Sequence, residues 1–158
     1  MSEPEADKLK NLLSTFEVAH LTTIDDRYRL VSRPMLPVYT EFDGRLWFFA
    51  HRDSRVVSHI THRASANVTF ASSRAWLSFA GTAELNREPD LAASLWTTEL
   101  VPWFSGGLDL DVACLVQFTA EEARYWHSPS AVETLVSLIS PRSHPVATRP
   151  STAGIPLK

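Results

Sequence analysis

One cysteine, Cys114, stands among the 158 residues, so no disulfide can close within the chain and an all-cysteine zinc site is excluded. That usage fits a reducing cytoplasm. Lysine is absent between Lys10 and Lys158, so the cations of the interior are all arginine. Arginine suits planar, bidentate contacts to phosphate or carboxylate, while a genome-wide codon bias would give the same count, and composition leaves both open. No apolar run approaches the ~20 residues of a membrane helix, and the charged opening MSEPEADKLK lacks the apolar segment of a signal peptide. A formal charge of -3 and a pI near 6.0 oppose wrapping nucleic acid by bulk electrostatics. The expectation is a single cytoplasmic domain over residues 1–158, with no nucleic-acid or membrane partner.

Catalytic fingerprints are missing too. No Gly-x-Gly-x-x-Gly, no Gly-x-x-x-x-Gly-Lys-Ser/Thr and no Gly-x-Ser-x-Gly occurs, which removes the dinucleotide fingerprint, the P-loop and the hydrolase elbow. Cys114 lies in an apolar stretch and reads as a buried, inert thiol. His59 and His62 sit three apart on a short helix without a third ligand, so they read as a solvated helix face and no metal is assigned.

What is present reads mostly as strands. Ser2-Glu3-Pro4-Glu5 has capping-box spacing, and Leu9, Leu12, Leu13 and Phe16 follow at helical intervals, predicting a helix over 3–15. Strands are expected at 18–24, 30–39, 46–50, 66–71, 76–85 and from 112–118 on through Tyr125-Trp126. Phe42-Asp43-Gly44-Arg45 is a hairpin signal suited to a type I′ turn. Val56, Val57 and Ile60 predict a helix over 54–63, capped by Asp53 or Ser54. Glu88-Pro89-Asp90 opens another, carrying Leu91, Leu95, Trp96 and Leu100 into an aromatic loop at 102–107. A short helix at 131–139 and an extended arm over 140–158 complete the chain. Six hairpin-connected strands with short helices describe a mainly β, antiparallel barrel or sandwich.

Arg55 opposes ordinary helix electrostatics, because a cation in the first turn faces the positive end of the macrodipole. An anion would resolve the conflict: the Ser54 hydroxyl, the free backbone donors of the turn and the Arg55 guanidinium together suit a phosphate, and Arg33 could add a second guanidinium. A surface pair with Asp53 or Glu41 explains Arg55 equally well.

Leu21-Thr-Thr-Ile, Ser32-Arg-Pro-Met, Leu46-Trp-Phe-Phe, Asp53-Ser-Arg-Val, Asn67-Val, Gly81-Thr-Ala-Glu, Trp103-Phe-x-Gly-Gly and Tyr125-Trp-x-Ser-Pro occur in one order and spacing over about residues 8–140. In these pieces the chain resembles the general stress protein 26-like group of the pyridoxamine 5′-phosphate oxidase-like, FMN-binding split-barrel superfamily. The resemblance implies a six-stranded split barrel and a homodimer with a flavin at its interface, FMN or else FAD or another flavin. It implies that Arg33, Ser54 and Arg55 hold the FMN phosphate, that backbone groups of Phe48, Phe49 and Ala50 face the isoalloxazine edge, and that Trp103 and Trp126 flank the ring. Ordinary packing also explains both tryptophans. Two features depart from the pattern: Val56 stands where many relatives have lysine, and residues 141–158 lack the arginine motif with which the true oxidases hold their substrate. The implied function is a flavin-dependent oxidoreductase of unknown substrate, or else a flavin carrier without turnover or an apo barrel whose dimer is the working unit.

Overall fold

The computed structural model describes residue 9, residues 11–38 and 42–126, and the backbone of 127 and 151–156. Strands β1 (Ala19–Ile24) and β2 (Leu30–Met35) pair antiparallel, with Ala19, Leu21 and Thr23 on the buried face of β1. Asp25 makes the turn between them. Its Oδ1 accepts from the backbone N–H groups of Arg27 (2.9 Å) and Arg29 (2.8 Å), and the chain turns through Tyr28 at φ 61°.

The remaining elements are β3 (Pro37–Val38), β4 (Arg45–His51), α1 (Arg55–His62), β5 (Ser65–Ala71), β6 (Ala75–Asn86), α2 (Pro89–Leu95), a 3₁₀ helix at Thr98–Trp103, β7 (Ala113–His127) and β8 (Ser151–Pro156). The strands form one antiparallel sheet in the order β2-β1-β5-β6-β7-β4-β3, with β8 against β7. β2 and β3 lie at opposite ends of that order, yet only Leu36 separates them along the chain. The sheet must therefore curl until its edges meet, which makes a barrel with a seam. Pro37 brings no N–H to the ladder, so pairing beside the joint is short. On β6 the register slips at Ala80/Gly81, and a Cβ on Gly81 would run into the Thr119 carbonyl of β7.

The barrel interior holds the main core, in which Phe48, Phe70, Phe79 and Phe118 are fully buried, each worth roughly 1.5–3 kcal/mol relative to exposure. A second cluster covers the outer face of β4 and β7. There Trp47, Phe49 and Leu115 pack under α2 and the 3₁₀ helix. β4 is apolar on both faces because each face meets a core.

All six expected strands form, and the structure adds two. The expected strand 30–39 breaks at Leu36 into β2 and β3, because its two halves pair with opposite edges of the sheet. The arm contributes β8, paired with β7 at 122–127. The helix expected to carry Leu91 through Leu100 is instead α2 followed by the 3₁₀ helix, since Trp96 and Thr97 are extended and interrupt it. Pro102 and Trp103 belong to that 3₁₀ helix rather than to a loop. The turn at 42–45 is not type I′: Gly44 has φ 93°, whereas Asp43 is not at positive φ. Of the helix expected at 3–15, Leu9 and 11–13 are helical and the rest up to 10 lies outside the described residues, as does the helix expected at 131–139. No helix among the described residues is long and apolar enough to cross a membrane.

Candidate functional site

At the seam, β2 diverges from β4 and leaves a cavity of about 440 Å³. This is within the range of small-molecule sites, roughly 300–1,000 Å³. Its walls come from Arg33 and Met35 of β2, Phe49 and Ala50 at the end of β4, Ser54 and Val56 at the start of α1, and Trp103 and Phe104 from the end of the 3₁₀ helix. Most of the lining is apolar. Phe49 is fixed by Trp96, edge to face at 5.0 Å and 83°, and His51 stacks on Phe104 at 4.6 Å and 26°. A hydrogen bond of 3.0 Å between His51 Nε2 and the Trp103 carbonyl ties this wall to β4.

Polar groups gather at the α1 end. Ser54 is the N-cap of α1 by backbone conformation, but its side chain makes no capping bond, and its Oγ is buried without a hydrogen-bond partner among the described residues. An ordinary N-cap serine spends that oxygen on the N–H of the second or third helical residue. Here the oxygen and the first N–H groups of the helix are both left over, with no acidic residue in the first turn. Beside them Arg33 is half-buried, and burial holds its pKa below the ordinary value. Its Nη1 donates to the Leu21 carbonyl at 3.2 Å, and among the described residues it meets no carboxylate. An unspent hydroxyl, an unneutralised guanidinium and a bare helix N-terminus at one end of an apolar cavity suit a ligand with an anionic head and a flat, apolar body.

The structure brings Arg33, Phe49, Ala50, Ser54 and Trp103 together around this cavity. Phe48 points the other way, fully buried in the main core, and its backbone sits between Pro37 of β3 and Val116 of β7. Phe49 and Ala50 lie past the end of β3, so the β3 side of their backbone is open to the cavity. Arg55 is exposed, turned to the far side of α1, and forms no ion pair among the described residues, Asp53 included; Glu41 lies outside them. Trp126 is the next to last residue of β7, opposite Trp76, and does not line the cavity of its own chain. Val56 is buried in the main core while touching the cavity wall, so a lysine there would have to thread its stem through apolar packing. Cys114 is buried, its thiol is pushed up by desolvation, and its Sγ contacts the Ala50 carbonyl at 3.4 Å, an inert thiol as expected.

Sequence reasoning missed His51, Phe104 and His59. His59 is half-buried rather than on a solvated face, with Nδ1 2.9 Å from Thr23 Oγ1, whereas exposed His62 bonds the Ser58 carbonyl of its own helix at 2.7 Å. Two histidines three apart on a helix carried a signal for a shared face, but not for what the neighbouring strand would offer one of them.

A second cavity, about 580 Å³, lies across α1, lined among others by Asp25, Arg29, Arg55, His59 and Arg63. It is charged, but the groups around Asp25 are already engaged with one another. Arg29 bonds the Asp25 carboxylate through Nε (2.8 Å) and Nη2 (2.7 Å), and Arg63 donates to the Asp25 carbonyl at 3.1 Å while lying 4.1 Å over the Tyr28 ring. The Asp25 pKa falls to about 2, chiefly through the Arg29 N–H bond with further help from the Arg29 side chain and the Arg27 N–H, against the opposing effect of burial.

Comparison with known proteins agrees with this architecture. A general stress FMN/FAD binding protein from Xanthomonas citri shares 20% identity and a TM-score of 0.69, over 82% of this chain and 93% of that one. A Clostridium acetobutylicum protein related to general stress protein 26 of B. subtilis, of the pyridoxine phosphate oxidase family, shares 18% identity and a TM-score of 0.70, over 80% and 91%. General stress protein 26 from Bacillus anthracis shares 18% identity and a TM-score of 0.64, over 77% and 95%. At such identities these likenesses establish the split-barrel fold. No curated protein matches the chain. The model of pyridoxamine 5′-phosphate oxidase-like proteins matches residues 4–142, which is most of the sequence, and the chain belongs to that family.

Proposed function

We propose that the seam cavity binds a flavin, FMN in the first place, and that the protein is a cytoplasmic, homodimeric, flavin-dependent oxidoreductase. The observation that carries the reading is the buried Ser54 Oγ without a partner, set beside half-buried Arg33 at the N-terminus of α1. These groups fit a phosphate monoester, and the apolar wall of Phe49, Ala50 and Trp103 fits a ring system. Arg55, exposed on the first turn but turned to the far side of α1, would reach the same anion only by swinging across the helix end. The family match and the FMN/FAD-binding neighbour support the same choice of ligand. When bound, the flavin carries the redox chemistry; the chain supplies binding, orientation and exclusion of water.

The mouth of the cavity supports the proposed dimer. Trp103 is 65% exposed there, and Val18 and Val101 stand open nearby, an apolar rim that a second copy would cover. Trp126 then reaches a bound ring only from the partner copy. Sedimentation at micromolar concentration tests this, with a dimer expected and a monomer opposing it.

The test of the ligand is titration of the purified protein with FMN, FAD and riboflavin, followed by absorbance and flavin fluorescence. FMN is expected to bind more tightly than riboflavin, which lacks the phosphate. No spectral change with any flavin contradicts the reading. Bleaching of bound flavin by NADH marks an oxidoreductase; a bound flavin that no reductant in the cytoplasm reduces marks a carrier.

A further inference from the structure

We propose that His59 is a positioning residue for the anion site: its neutral imidazole, anchored on Thr23, fixes the Arg33 guanidinium at the polar end of the seam cavity. The inference rests on the flavin reading above, and it concerns a residue that lines the other cavity. Thr23 is fully buried, and among the described residues the side-chain partner its hydroxyl finds is His59 Nδ1, at 2.9 Å. Arg33 Nη2 lies 3.5 Å from that same Nδ1, while its Nη1 is held by the Leu21 carbonyl at 3.2 Å. The guanidinium is therefore contacted from two elements, bonded by a carbonyl of β1 and bordered at 3.5 Å by an imidazole of α1.

The donor arithmetic assigns the tautomer. Arginine can only donate, so Nδ1 must present its lone pair, and the imidazole proton sits on Nε2. Thr23 then donates to the same single lone pair at 2.9 Å, and the Arg33 contact at 3.5 Å is the longer and weaker share of it. The charges around the ring agree with a neutral imidazole: burial first and then Arg33 from β2 push the His59 pKa down, Asp25 and Asp26 of the β1–β2 turn pull it up, Arg55 from α1 lowers it least, and the net direction is down. Without the imidazole acceptor, one edge of the guanidinium has no fixed partner, and a long side chain regains rotamers that phosphate binding must then freeze again.

The tests separate positioning from mere packing. His59→Asn sets an amide oxygen near the place of Nδ1, whereas His59→Leu offers no acceptor. With His59→Leu, FMN affinity is expected to fall roughly ten-fold while riboflavin affinity stays near the parent's, and His59→Asn is expected to restore FMN binding. If His59→Leu fails to fold because the Thr23 hydroxyl is left unpaired, the double variant Thr23→Val with His59→Leu removes both polar partners and carries the same expectation. Equal losses for FMN and riboflavin, no loss for either, or failure of His59→Asn to rescue overturns the proposal. A readout free of ligand is guanidinium rotation of Arg33 by ¹⁵N NMR. Slow rotation is expected in the parent and His59→Asn, and faster rotation in His59→Leu, where only the Leu21 carbonyl still holds the group. Equal mobility in all three overturns the positioning role whether or not flavin binds, whereas the expected pattern without any flavin binding overturns the functional reading and leaves this one standing.

Discussion

Two cavities flank α1, and they differ in what their polar groups have already done. In the charged cavity the Asp25 carboxylate takes two backbone N–H groups and the Nε/Nη2 edge of Arg29, and Arg63 is spent on a carbonyl and the Tyr28 ring. In the seam cavity few polar groups are present, and Ser54 Oγ has no partner among the described residues. Charge density would point to the first as the binding site; unsatisfied bonding capacity points to the second. A buried polar atom without a partner costs about 1–3 kcal/mol, and a fold retains such a cost where a ligand offsets it. The charged cavity is a built turn, and the seam cavity is a place for a guest.

Variants can break that contrast from either side. The largest effect is expected from Val56→Lys, which drives a cation into the apolar wall of the seam cavity: the apo protein should lose roughly 3 kcal/mol or more in denaturant unfolding. Saturating FMN should restore only part of it.

Asp25→Asn comes next and strikes the other cavity. It removes the ion pair with Arg29 and one charged acceptor of the turn, so the melting temperature at pH 7 should fall by about 5 °C or more, with flavin affinity nearly unchanged. Its pH profile has a definite sign. The Asp25 pKa is depressed from 3.8 to about 2 in the folded protein, so its contribution is present above pH 4 and is lost as pH falls toward 2. Acid melts of the parent should show that loss, and those of the variant should lack it. Loss of FMN binding in Asp25→Asn would mean that the two cavities work as one site.

Arg33→Ala should leave folding little changed while lowering FMN affinity roughly ten-fold to a hundred-fold, with riboflavin scarcely affected. Titrations of both flavins into both proteins check it.

The same contrast shows what the sequence could reveal. Strand periodicity and the motifs around Ser32-Arg33, Asp53-Ser54-Arg55 and Trp103 were legible, and they led to the barrel and to five of the residues around the seam cavity. The break at Leu36 was not, because a strand pairing with opposite edges of a sheet has the local pattern of one continuous strand. Asp25 read only as a turn residue, since its four donors are fixed by the turn's three-dimensional closure. Trp126 stood in a motif with aromatic neighbours, but its distance from the cavity depends on how far β7 runs past β4. His59 gained its meaning only when β1 placed Thr23 against it.

The most direct measurement of the central claim is the stability of Ser54→Ala with and without FMN. At an ordinary N-cap this change costs about 1 kcal/mol, because a capping bond is lost. Here no such bond exists, so the apo variant should be as stable as the parent or slightly more so. FMN should bind it several-fold more weakly and raise its melting temperature less. An apo protein destabilised by a full cap's worth, with FMN stabilisation undiminished, would contradict the account.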